Sequence, residues 1–342
     1  MNQPKSLADQ PIILIYTMTA GLGDYLVLGD LLHKAKLLLP QAECLLIHRA
    51  NSHVSHWPYG NYRNVFFNVY SLTEMLRLAG ILLNYRRRGY VVFGLQMAPG
   101  SLQGFLLHRC LKSIRGLDYI VDSNLINADL VVPARGNYIL ERHLNQLADL
   151  LNVGIPSNYY RLNLPLSDFK GHSIVRPTGR RLVGIHPWSR RDSYSFFWSL
   201  DNWIKVIENL LRHEDVDCVF FGKDVKFQEF ADCLRRKFVG AQKRFHFVPS
   251  QSIEHLSRTI ADVDVVLSVN TAIVHIAYAL NKKMVILSGP SLDEWNPRGD
   301  HIRIVRDRQA LLTGADRPNP DERLPQVTRI KVQDVLDAFE SL

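Results

Sequence analysis

Residues 265–280 constrain the fold more than any other stretch. An apolar run from Val265 to Val269 reads as a buried strand, and Asn270-Thr271 makes a short polar turn. A helix of small and apolar residues, Ala272 to Leu280, starts at once. A strand delivered straight into a helix belongs to layered α/β architecture, with helices covering a parallel sheet. The first N–H groups of such a helix have no intrahelical partner. With the helix dipole they form a place for an anion such as a diphosphate. The same residues also read as an ordinary helix capped by Asn270 or Thr271.

The chain opens on the same pattern. Residues 11–16 form an apolar strand, and residues 17–24 hold a glycine-containing turn ending in Gly-Leu-Gly-Asp24. Leu28, Leu31, Leu32, Ala35 and Leu38 then lie on one face of a helix over 26–39, and Pro40 ends it. The turn is Gly-x-Gly-Asp and lacks the third glycine of the dinucleotide fingerprint. Strands are expected at 44–48, 64–69 and 90–95, and helices at 71–84, 102–113 and 137–151. Residues 158–179 are polar and irregular, with Pro165 and Pro177.

The pattern then restarts. Strands are expected at 181–186, 217–221, 245–248, 265–269, 284–288 and 302–305. Helices are expected at 201–212, 225–238, 252–260 and 272–280. Residues 327–342 read as a strand followed by a helix. The 342 residues therefore divide into a Rossmann-like domain over 1–165, a linker over 166–180 and a second Rossmann-like domain over 181–342. The last helix is a candidate to pack back on the first domain. Two such sheets face a central cleft, with ligands at the carboxyl ends of the strands.

Composition narrows the function. The net charge of +8 suits an acidic substrate or an anionic membrane surface. No nucleic-acid motif accompanies it. No apolar run reaches the roughly 20 residues needed to span a bilayer, and residues 1–10 are polar. A cytoplasmic protein is expected, with contact at the inner membrane's cytoplasmic face. The four cysteines lack C-x-x-C spacing and read as reduced thiols. Asp215-Val-Asp217 and Asp262-Val-Asp264 have D-x-D spacing, but each sits where a strand begins, so they read as solvated strand starts and not as metal ligands.

Several segments carry a family resemblance, in order along the chain. They are Gly23-Asp24-Tyr-Leu-Val-Leu, the Glu-Arg-His-Leu of residues 141–144 with Asn152-Val-Gly154, and Gly184-Ile-His-Pro187. Trp198-Ser-Leu-Asp-Asn-Trp203, residues 268–280 and Gly289-Pro290 follow. Together they resemble the family 9 glycosyltransferases, the heptosyltransferases of lipopolysaccharide. The resemblance implies a GT-B fold. It implies transfer of a heptose from a nucleotide-diphosphate donor, typically ADP-heptose, to an inner-core acceptor, with inversion and without a metal or other cofactor.

On this resemblance Asp24 aligns with the general base, and the bland alternative is an Asp placed for the helix dipole. Gly23 and Gln96 fall on the acceptor side. Thr271, Ala272 and Ile273 offer backbone N–H groups to the donor diphosphate, beside Asn270. His275, one turn on, is either a phosphate contact or a packed helix histidine. Asp224 is either a ribose contact or an N-cap. Asp293 and Arg298 are weaker sugar contacts. The chain departs from the family pattern at Asn270 for Asp, Ala272 for Gly and Phe196 for Lys. Arg190 and Arg191 are candidates to replace that lysine's charge. Other readings left open are a different sugar, a capsule or protein acceptor, and a GT-B protein that binds nucleotide-sugar without turnover.

Overall fold

The structure is a computed structural model. It describes residues 11–18, 22–48, 63–66, 72–96, 119–122, 130–132, 135–164, 174, 176–188, 198–222, 225–289, 293–307 and 327–342. The chain divides into two compact units, Met1–Leu162 and Asn163–Leu342.

In the first unit the elements run β1 (Ile12–Met18), α1 (Leu22–Leu38), β2 (Glu43–His48), β3 (Arg63–Phe66), α2 (Leu72–Arg87) and β4 (Val91–Gln96). Then come β5 (Tyr119–Asp122), β6 (Leu130–Val131) and α3 (Ile139–Leu151). The sheet has the order β3-β2-β1-β4-β5-β6, with every pair parallel.

The second unit runs β7 (Arg181–His186), α4 (Leu200–Leu210), β8 (Val216–Gly222), α5 (Val225–Lys237), β9 (Phe245–Pro249) and α6 (Ile253–Asp262). It continues with β10 (Val265–Val269), α7 (Ala272–Ala279), β11 (Lys283–Ser288), β12 (Ile302–Arg306) and α8 (Val332–Glu340). Read from β9, its order is β9-β8-β7-β10-β11-β12, again all parallel. Both sheets therefore follow the 3-2-1-4-5-6 order of the doubly wound fold. In each, the order reverses beside the first strand, and that is where such sheets bind ligands.

Parallel strands covered on both faces need side chains that tolerate full burial. All seven residues of β8 are buried. The second core is aromatic: Trp198, Trp203, Phe220 and Phe227 share one buried cluster with strands β7, β10 and β11. Two glycines make room for those rings. A Cβ on Gly184 would stand 2.9 Å from the Phe221 ring, and one on Gly222 would stand 2.7 Å from the Trp188 ring. The Trp198 and Trp203 rings meet edge to face at 5.0 Å. Trp198 Nε1 donates to the carbonyl of Ile330 at 2.9 Å. The Trp-x-x-x-x-Trp segment is thus a core element that pins the approach to α8. Ser199 between the rings caps α4 by accepting from the Asn202 N–H.

The first unit packs differently. Residues 25–32 of α1 are buried on every side. Within that apolar helix lies an ion pair, Lys34 with Asp30, one turn apart and almost wholly buried. Lys34 Nζ also donates to the carbonyl of Arg161 at 2.5 Å. Burial lowers the Lys34 pKa, and Asp30 opposes the fall.

Most expected elements form, with shifted ends. Helix α1 starts at Leu22, four residues earlier than its apolar spacing suggests. Strands β5 and β6 are too short to have left a periodic signal. The expected helix at 102–113 lies outside the described residues. The strand expected from 327 does not form: Val327–Arg329 is a 3₁₀ turn, and the Ile330 carbonyl accepts from Trp198. The last helix, a candidate for the first domain, packs on α4, β11 and β12 of its own unit.

Of the two D-x-D pairs, Asp215 is exposed at the strand start as expected, and the other three carboxylates are engaged. Asp217 is 2% exposed, pairs with Arg180, and lies 3.2 Å from His246 Nε2. Asp264 pairs with Arg176 and accepts the Leu182 N–H at 2.8 Å. Asp262 accepts the Ile174 N–H at 3.1 Å. These carboxylates clasp residues 174–182 to the amino-terminal edge of the second sheet. A cavity of about 560 Å³ opens there, lined by Arg176, Arg180, Arg181, Lys282 and Lys283 among others. Most of those cations are already engaged: Lys282 donates to Ala261 O and Lys283 to Leu342 O. The cavity belongs to the clasp and lies at the wrong end of the strands for a doubly wound site.

Candidate functional site

The carboxyl edge of the second sheet is built at the reversal between β7 and β10. Register pairs Ser268 with His186, so both strands end together. Beyond them stand Pro187-Trp188 on one side and Asn270-Thr271 on the other. Thr271 is the N-cap of α7, with extended backbone, and its hydroxyl accepts the Ile273 N–H at 3.4 Å. The Thr271 carbonyl takes the Val274 N–H at 3.0 Å. Thr271 and Ala272 N–H groups have no preceding helical carbonyl to reach. Of the three amides expected at an anion, Ile273's is thus already shared with the cap. Ala272 is not among the positive-φ residues, so the backbone there does not demand glycine.

A short 3₁₀ turn, Asp293–Trp295, straps the start of α7. Asn270 Nδ2 donates to Asn296 Oδ1 at 2.8 Å. The Trp295 ring stands edge-on to His275 at 6.0 Å and 79°. His275 is 3% exposed, and burial lowers its pKa to about 4. At neutral pH it is an uncharged, packed imidazole that holds the strap, and it brings no positive charge to an anion. His186 is the same kind of residue. Its ring stacks on Phe221 at 5.9 Å and 13°, and burial lowers its pKa to about 4. Asp293, expected near a sugar, pairs with Arg306 at 2.5 Å and lies 3.6 Å from Arg298. Asp224, Arg190 and Arg191 lie outside the described residues, as does Phe196.

The first sheet repeats the arrangement between β1 and β4. Register pairs Thr17 with Gln96, so β4 ends on Gln96 beside the end of β1. Gly23 and Asp24 are the second and third residues of α1, in its first turn. The two residues expected on the acceptor side, Gly23 and Gln96, and the candidate base Asp24 therefore share one sheet edge. Asp24 in a first helical turn is also favoured by the helix dipole. In the Glu-Arg-His-Leu segment, Glu141 Oε2 accepts the Asn137 N–H at 2.9 Å and so caps α3, while burial takes the His143 pKa down to about 4. That segment is structural.

Asn296 is the residue that sequence reading missed. Its only signal is its place after the Asp-Glu-Trp turn, which nothing in the spacing links to Asn270. Among the described residues, no group of three or more His, Cys, Asp or Glu side chains converges as a metal site would require. No described helix is long and apolar enough to cross a membrane.

A family model described as "Glycosyltransferase family 9 (heptosyltransferase)" matches residues 96–317, well over half of the chain. The chain belongs to glycosyltransferase family 9. Among curated proteins, none matches it by sequence. A family 9 glycosyl transferase from Veillonella parvula is similar in structure, with a TM-score of 0.63, 12% identity, and 97% of each chain covered. The E. coli ADP-heptose LPS heptosyltransferase II aligns at a TM-score of 0.62 and 16% identity, over 96% of this chain and 98% of that one. The E. coli heptosyltransferase WaaC with ADP aligns at a TM-score of 0.63 and 15% identity, over 96% and 99%. At such identities the likeness speaks to fold, and the fold of this family 9 enzyme is the two-sheet GT-B type. It is a glycosyltransferase.

Proposed function

We propose that this family 9 transferase moves a heptose from an ADP-heptose type donor to a lipopolysaccharide inner-core acceptor, with inversion and without a metal. The observation that carries the reading is the repeated order reversal. Gly23, Asp24 and Gln96 stand at the carboxyl edge of one sheet, and residues 270–273 stand at that of the other. The E. coli relatives, an ADP-heptose LPS heptosyltransferase and a heptosyltransferase with ADP, supply the donor class.

In this reading the acceptor hydroxyl attacks the anomeric carbon from the face opposite the nucleotide. The bond to the diphosphate breaks as the new glycosidic bond forms, and Asp24 takes the hydroxyl proton. The N–H groups of Thr271 and Ala272, with the dipole of α7, take up charge developing on the leaving diphosphate. Neutral Asn270 adds no repulsion there. Arg190 and Arg191 supply the positive charge that the relatives' lysine gives and Phe196 does not. Asp224 accepts from the ribose hydroxyls. The acceptor is a lipid-linked anion, and the net charge of +8 suits an anionic membrane surface.

The test is Asp24→Asn. Transfer should fall by about 10²–10⁴-fold in an assay with purified donor and acceptor, while calorimetry shows unchanged ADP binding. Near-normal turnover would remove Asp24 from the chemistry.

A further inference from the structure

Asn296 is fully buried, at 0% exposure. Its Oδ1 accepts from Asn270 Nδ2, but its own buried Nδ2 meets no acceptor among the described residues. A buried amide donor without a partner is unusual and costs free energy. The strap that carries Asn296 is fixed to α7 by the His275–Trp295 contact, so the residue is not free to turn away from Asn270.

Two facing asparagines can pair in two ways. In the pairing seen, Asn270 gives its N–H inward, and the atom left for a ligand is its carbonyl oxygen. In the reversed pairing both amides turn over. Asn296 Nδ2 then donates to Asn270 Oδ1, and Asn270 offers its own Nδ2 to whatever lies at the start of α7. The reversal exchanges an orphaned buried N–H for a buried carbonyl oxygen, which proteins tolerate better. An anion at α7 favours the same reversal, because it attracts an amide N–H and repels a carbonyl oxygen. The two pressures act in one direction.

We propose that Asn296 is a positioning residue that holds the reversed pairing when an anion lies at α7, so that Asn270 donates a hydrogen bond to the nucleotide diphosphate. The proposal rests on the reading that α7 holds that diphosphate. It gives the departure from Asp at position 270 a purpose: asparagine can present a donor there, and a carboxylate cannot.

The test titrates the full chain with ADP, with adenosine as the comparator. Asn296→Asp replaces the reversible amide by an acceptor, which holds Asn270 Nδ2 inward. Asn270→Asp removes the donor itself. Each should weaken ADP about tenfold and leave adenosine unchanged, with melting temperature recorded beside each titration. Unchanged ADP affinity in either folded variant overturns the proposal. Should Asn296→Asp not fold, the half-buried Asn270→Asp decides alone. A wild-type chain that binds none of ADP, GDP and UDP refutes the diphosphate reading beneath it, a result distinct from wild-type binding that the variants leave untouched.

Discussion

The two sheets share a strand order and differ in how they support it. The first surrounds β1 with an apolar helix that carries one buried ion pair, Lys34 with Asp30. The second surrounds β7 with aromatic rings seated over glycines and with neutral histidines, His275 buried and His186 partly so. Each device holds the helix or strand that leads to a carboxyl edge. In the first unit, charge is kept inside and an acid, Asp24, stands at the edge. In the second, the clasp around Asp217 and Asp264 holds charges at the amino-terminal edge, and the carboxyl edge carries neutral Asn270 and Thr271 together with the Asp293–Arg306 pair of the strap. One topology thus carries two differently lined edges. The difference comes from side chains and not from strand order.

That contrast can be broken by substitution. The largest effect is expected at the buried ion pair. Lys34→Met leaves Asp30 buried without its cation and should cost about 3–5 kcal/mol in denaturant unfolding. The double variant Lys34→Met/Asp30→Leu should recover most of it. If the double variant is as unstable as the single, α1 is held by something other than charge pairing.

A smaller loss is expected in the second unit. Gly222→Ala drives a methyl against Trp188 and the Phe227 Cβ at 2.7 and 3.0 Å. Its cost should be about 1–3 kcal/mol. The melting temperature should fall without any change in the first unit's amide exchange. An unchanged melting temperature would mean that the aromatic core is not close-packed.

The smallest effect is in acid. Burial holds His186 and His275 of the second unit, and His143 of the first, at a pKa of about 4, against an ordinary 6.5. Below pH about 6.5 the unfolded chain therefore binds protons that the folded chain refuses. Stability is full above that value and is lost as pH falls toward 4. Each histidine should remove about 1 kcal/mol between roughly pH 7.5 and pH 5.5. His275→Gln should flatten the fall of melting temperature with pH. Curves that stay parallel for variant and wild type would show that His275 does not contribute.

Much of this was legible in the sequence. Strand β10 has the ends its sequence implies, since four apolar residues and Ser268, all buried, lie between a strand start and a polar turn. Ser252, first residue of the helix expected at 252–260, is its N-cap, and its hydroxyl accepts the His255 N–H at 3.1 Å. The candidate residues of the first edge come from the family resemblance, and the elements put Gln96 at the end of β4 and Gly23 and Asp24 in the first turn of α1. What periodicity hid was pairing at a distance. Lys34 and Asp30 lie inside an apolar stripe, where their spacing shows that they can pair but not that both are buried. Asp217 looked like a solvated strand start, although Arg180 comes 37 residues earlier.

The sequence by itself determined two doubly wound α/β units, the family, and the turns that carry candidate chemistry. Those follow from local spacing: period, punctuation and short motifs. Only the tertiary structure decided that Trp198 serves the core, that His275 is neutral, and that Asn296 lies against Asn270. Each depends on burial and on a partner brought close by folding. Whether a side chain is charged, packed or free to meet a ligand is set by what surrounds it in space.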